Sequence, residues 1–189
     1  MDLLAAIEVF AFVTGIAYVV LEILQKNAMW VVGILTGAAC AYSFAVQHLY
    51  ASMGLNIYYV FMSVWGLVQW RRDSQASEGQ IHLSQPSRKV LWFSLLALIG
   101  GTALLAGPLQ VLGDRMSWLD ALVTVLSAVG TWWLARSYPQ QWLVWIVADT
   151  LSTVLCLSNG MYWMSVLYVV YTASAVYGYH HWKKNGIIV

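Results

Sequence analysis

Charge is what this sequence has least of. Lys and Arg number 9 and Asp and Glu 8, so charged residues fill only 9% of 189 positions. A soluble domain carries about 25%, and a hydrophobic content of 61% is more than one water-facing globule can hide. The net charge of +1 gives no basis for a nucleic-acid surface or a polybasic lipid-binding face. Cysteine is equally scarce: Cys40 and Cys156 lie within apolar runs and read as small buried hydrophobes, not a disulfide. His48, His82, His180 and His181 show no ligand spacing with Cys or carboxylates, so neither a metal site nor a cofactor is expected. No nucleophile elbow, Gly-rich phosphate loop or catalytic carboxylate pair occurs, and the chain reads as a non-enzyme. The first apolar segment lacks a basic n-region and carries Glu8 and Glu22, so it reads as a mature span and not as a cleaved signal.

What is present is a repeat. At a constant offset of 112 residues, and with no gap, Trp30 falls on Trp142, Tyr50 on Tyr162, Tyr59 on Tyr171, Gly66 on Gly178 and Trp70 on Trp182. Matches among Trp and Tyr carry more weight than matches among common apolar residues. In a membrane protein, a repeat of this kind points to two halves that rock against each other around a site between them.

A bilayer core about 30 Å thick needs about 20 apolar residues per helix. Runs over 4–24, 29–47, 51–70, 89–106, 117–135, 141–158 and 161–182 predict seven transmembrane helices, an all-α integral membrane fold. Residues 1–70 form a first three-helix repeat, 71–88 a cytoplasmic linker, 89–116 a bridging fourth helix with an outer loop, and 117–189 a second repeat. Three helices per repeat would invert two directly joined copies. The extra helix restores the orientation, giving a 3+1+3 plan with parallel repeats. Placing the linker inside puts Lys26, Arg71, Arg72, Arg88, Lys89, Arg136, Lys183 and Lys184 on the cytoplasmic side and leaves Arg115 outside. The positive-inside rule then sets the amino terminus outside and the carboxyl terminus in the cytoplasm.

Helical spacing also marks inward faces. Span 3 aligns Asn56, Tyr59, Ser63, Gly66 and Trp70, and span 7 aligns Tyr168, Tyr171, Ala175, Gly178 and Trp182. Trp70 and Trp182 read mainly as seam or interfacial aromatics. Span 6 aligns Trp142, Trp145, Asp149, Ser152 and Cys156. Asp149, halfway through a span, costs about 2.5–3.5 kcal/mol even on the lenient insertion scale, and no Lys or Arg sits at its depth. It is the leading candidate for a substrate contact, with Trp145 one turn away to stack on a flat ring. Glu8 and Asp120 occupy equivalent first-turn positions, where the helix dipole favours acids, and with Trp142 they are candidate gate residues. Glu22 reads as structural, an i,i+4 partner of Lys26.

Leu49 to Ser52 with Asn56, Gly66 and Trp70, Gln141 to Asp149, and Tyr162 to Ser165 with Tyr168, Thr172, Gly178 and Trp182 resemble the PnuC family of bacterial vitamin transporters. The resemblance covers most of the chain. It implies a SWEET-like bundle in the inner membrane and facilitated diffusion, as a uniporter, of an unphosphorylated vitamin that a cytoplasmic kinase or pyrophosphokinase then traps. It also implies a homotrimer. Nicotinamide riboside carriers resemble one another in an Asn at the position of Asp149 and another at that of Tyr177, whereas thiamine-type members tend to have the acid. The resemblance therefore implies thiamine as substrate, with Asn56, Tyr59, Ser63, Trp145, Asp149, Tyr168, Tyr171 and Tyr177 as binding residues. Nicotinamide riboside or riboflavin transport is the alternative, and a non-transporting scaffold or receptor a third reading.

Overall fold

A computed structural model of the chain describes residues 3–46, 50–76, 82–113 and 116–188. They form seven α-helices: α1 (Leu3–Ile23), α2 (Ala28–Val46), α3 (Tyr50–Ala76), α4 (Arg88–Val111), α5 (Ser117–Ala135), α6 (Gln141–Ser158) and α7 (Tyr162–Asn185). Four of them, α2, α4, α5 and α6, are long and apolar enough by composition to cross a membrane. Within α1, Val9–Ile23 is a further apolar stretch, and α3 and α7 each end in a polar tail, at Arg71–Ala76 and Lys183–Asn185. Side chains such as Phe61, Leu104, Val111 and Val166 point outward and are exposed, the reverse of a soluble surface. The chain is a multi-pass membrane protein.

Among the described residues, α1 packs on α2, α2 on α3, α3 on α5, α5 on α6, α6 on α7, and α7 back on α1. Six helices thus close a ring, and α4 stands outside it against α5. Tyr58 ties the ring by donating to the Ala128 carbonyl at 2.8 Å, and Trp133 Nε1 anchors α4 by donating to Ser94 Oγ at 3.0 Å. The tight connections turn where residues reach left-handed φ, 54° at Gln25 and 72° at Gly160.

The stretch read as a linker is more ordered than its composition predicts. Helix α3 continues to Ala76, and His82–Leu83 pairs in parallel with Ile187–Ile188 as a two-residue strand pair. Leu83 is fully buried, and Ser84 N donates to the Ser137 carbonyl at 3.1 Å, so this segment straps the end of the bundle.

At that same end four tryptophans form one cluster. Trp30 meets Trp70 edge-on at 5.3 Å between ring centroids, Trp70 meets Trp182 at 5.7 Å, and Trp182 meets Trp142 edge-on at 5.5 Å. All four are buried, so Trp70 and Trp182 are interior residues and not interfacial anchors. Glycines make the packing possible: a Cβ on Gly66 would lie 2.6 Å from Trp30 Cη2, and one on Gly178 would lie 2.7 Å from Trp142 Cη2.

Candidate functional site

The ring encloses a chamber of about 610 Å³, within the range of small-molecule sites. It runs from Asp120, Leu55 and Met164, near one set of helix ends, down to Glu22, Trp142 and Ala175 beside the tryptophan cluster. Helix α3 contributes Asn56, Tyr59 and Ser63, α7 contributes Tyr168 and Tyr171, and α6 contributes Trp142, Trp145, Asp149, Ser152 and Cys156. Their spacing of three and four residues is what turns each set to one side of its helix.

Asp149 is buried at 7% exposure, and among the described residues none donates a hydrogen bond to its carboxylate. Tyr168 and Tyr171 meet edge-on at 6.2 Å. Tyr18, Tyr59, Trp142 and Trp145 complete an aromatic wall, and no Lys, Arg or His is among the described lining residues. An acid in such a wall can hold a positively charged flat ring by charge and by its π-face together.

The structure brings Asn56, Tyr59, Ser63, Trp145, Asp149, Tyr168 and Tyr171 to the one chamber, with the gate candidates Trp142 and Asp120 also on its wall. Asp120 stands in the first turn of α5, as its helix-dipole reading anticipates. Glu8 lies in α1, but its side chain falls outside the described residues. Tyr177 does not join them: it is 62% exposed on the outer face of α7 and stacks on His181 at 5.9 Å. A helix turns about 100° per residue, so the position next to the inward Gly178 cannot share its direction.

Glu22 is the residue that local spacing misread. It makes no ion pair with Lys26 among the described residues. Instead it is 4% exposed, lines the chamber, and accepts a hydrogen bond from Gln141 Nε2 at 3.0 Å. Its backbone carbonyl accepts from Trp182 Nε1, also at 3.0 Å. Partners 119 and 160 positions away leave no trace in local spacing. Cys40 and Cys156 are free thiols, as read, half-buried and buried respectively, and both also reach the chamber wall.

A multi-pass ring of helices around a polar and aromatic chamber, walled off at one end, defines the class: a membrane transporter of a small molecule. The chain belongs to the nicotinamide mononucleotide transporter family, whose model matches residues 5–184. It is similar to the nicotinamide riboside transporter PnuC of Neisseria mucosa, 30% identical over 186 residues that cover 92% of this chain and 70% of the relative. Similarity also extends to the riboflavin/roseoflavin transporter RibM of Streptomyces davaonensis, 25% identical over 81% of this chain and 73% of that one. Among solved structures it resembles the crystal structure of the vitamin B3 transporter PnuC, with a TM-score of 0.69 and 27% identity over 95% of this chain and 81% of that one. The chain is therefore a vitamin transporter of the PnuC family. None of these three relatives is named for thiamine, so their names favour the alternative, nicotinamide riboside or riboflavin, over the thiamine expectation.

Proposed function

We propose that this chain carries an unphosphorylated, positively charged aromatic vitamin across the bacterial inner membrane, with nicotinamide riboside its first substrate. The observation that carries the reading is the sign of the chamber: Asp149 stands in an aromatic wall that includes no Lys, Arg or His among the described residues. A pyridinium ring suits that wall. A phosphate dianion would face a carboxylate with no cation to pair it, which favours the nucleoside over the nucleotide of the family's description. Riboflavin, named for one relative, has an uncharged ring and would leave Asp149 uncompensated. A scaffold has no use for an acid held this way.

Thiamine is the second reading, and one observation favours it. Asp149 is an acid where riboside carriers resemble one another in Asn, and a carboxylate can accept from an aminopyrimidine. The Tyr177 half of that argument lapses, because Tyr177 faces outward.

The proposed cycle is alternating access by rocking of residues 1–70 against 117–189, with 71–88 and 89–116 as linker and bridge. Support comes from the matching contacts Gly66 with Trp30 and Gly178 with Trp142. In this reading the bundle is SWEET-like with parallel 3+1+3 repeats, the amino terminus is outside, flux is facilitated diffusion, and a cytoplasmic kinase traps the product. Site roles for Asn56, Tyr59, Ser63, Trp145, Asp149, Tyr168 and Tyr171, gate roles for Glu8, Asp120 and Trp142, and a homotrimer belong to the same proposal. Uptake of radiolabelled nicotinamide riboside, thiamine and riboflavin into vesicles holding the purified protein tests it. Riboside uptake without an ion gradient is expected; riboflavin alone would overturn the charge argument, and thiamine alone would promote the second reading.

A further inference from the structure

We infer that Glu22 is a specificity-determining residue of the transport site, a second carboxylate station that meets the substrate's positive ring at the walled-off end of the chamber. The inference rests on the proposed cationic substrate and deepens it. Glu22 lies on the wall of the same chamber as Asp149, near the four-tryptophan cluster, where only 4% of it is exposed. A carboxylate in the membrane interior is retained when it pairs, coordinates or serves a pathway. Its described side-chain partner is the neutral amide of Gln141, which orients the carboxylate and leaves its charge unbalanced.

Among the described residues, the titratable groups that line the chamber along its length carry no balancing charge. Tyr18 lies one turn away on α1, Cys40 on α2, Tyr59 on α3, Asp120 on α5, Asp149 and Cys156 on α6, and Tyr168 and Tyr171 on α7. All are acids, phenols or thiols. Lys26 is exposed beyond the end of α1.

A second observation points to a ligand at this end. Trp142, 2% exposed and on the chamber wall, has an indole N–H with no acceptor among the described residues. The indole N–H groups of Trp30, Trp70 and Trp145 also lack an acceptor among the described residues, and of these four tryptophans Trp142 and Trp145 are the ones on the chamber wall. A hydroxyl oxygen of a sugar or hydroxyalkyl arm would supply the acceptor while the charged ring meets Glu22. Two acids along one chamber also give a cation successive stations, so that leaving the first does not strand it in a neutral wall.

The test compares a cation with its neutral isostere. Nicotinamide riboside and its reduced dihydropyridine form share a shape and differ by one charge. Binding of each is measured by tryptophan quenching on purified wild type, Glu22→Gln, Glu22→Asp and Asp149→Asn. Wild type is expected to prefer the cation. Glu22→Gln should weaken cation binding about ten- to hundredfold, the worth of one charge-assisted contact, and leave the neutral form unchanged. Its amide oxygen still accepts from Gln141, so melting temperature and monodispersity should hold. Glu22→Asp should keep the preference for charge. An unchanged cation-to-neutral ratio in Glu22→Gln, with Asp149→Asn alone abolishing it, would overturn this inference and leave the proposed function standing. Wild type that binds neither nicotinamide riboside nor thiamine would instead overturn the proposed function, and this inference with it.

Discussion

Asp149 stands on an aromatic wall with no cation among the described lining residues, so its worth as a contact can be read from one isosteric change. Asp149→Asn preserves volume and removes the charge. Losing one charge-assisted contact is worth about 1.5–3 kcal/mol, so thiamine affinity measured by calorimetry should fall about ten- to hundredfold. Riboside affinity should fall less, because the new amide can pair with the carboxamide. Equal losses for both vitamins would show that Asp149 reads charge alone and does not discriminate between them. Tyr177 provides the contrast. Exposed and stacked on His181, it should be replaceable by Ala with riboside affinity moving by less than about 0.5 kcal/mol; a tenfold loss would mean that it reaches the chamber. These two residues also mark what single positions disclose in a sequence. Asn56, Tyr59, Ser63 and Asp149 are legible because period and polarity agree on one face. Tyr177 enters through family resemblance, against the register of its own helix. Glu22 is hidden because Lys26, four residues on, offers a plausible local partner while Gln141 lies on another helix.

Helices approach closely in lipid where small residues let them, and the two seams at Gly66 and Gly178 use this directly. Each glycine lies under the six-membered edge of a tryptophan from the preceding helix, Trp30 or Trp142. Gly178→Ala should push α7 from α6 and cost about 1–3 kcal/mol as an overpacked core site. Gly54, where an added Cβ would meet nothing within 4 Å, is the matched control within α3. Gly54→Ala should be neutral or stabilise by up to about 1 kcal/mol by favouring the helix. Thermal unfolding in detergent compares the two, and equal melting temperatures would remove the close-packing account of the seams. At this scale α5 and α6 begin and end where their apolar runs do, whereas α3 runs on to Ala76 through a polar tail that composition alone assigns to a linker. The Leu83 strap is invisible in the sequence, since a two-residue pairing with Ile187–Ile188 depends on residues about a hundred positions away.

Six of the seven described helices close a ring, with α4 outside it, and the chamber within has unlike ends. One end is filled by Trp30, Trp70, Trp142 and Trp182 and tied to α1 through the Glu22 carbonyl; toward the other, the wall reaches the half-exposed Met164. In the proposed orientation, with the amino terminus outside, the tryptophan end would face the cytoplasm and the chamber would open outward. The native cysteines can test access and orientation together, because Cys40 on α2 is half-buried on the chamber wall. In a Cys156→Ser background, a membrane-impermeant methanethiosulfonate reagent should modify Cys40 in intact spheroplasts. Saturating nicotinamide riboside should slow that reaction by occupying the chamber or by shifting the population away from the open state. Modification confined to inside-out vesicles would reverse the orientation. Modification from outside that the riboside and thiamine both leave untouched would separate the chamber from the transport path, since a transported vitamin must pass the wall on which Cys40 stands.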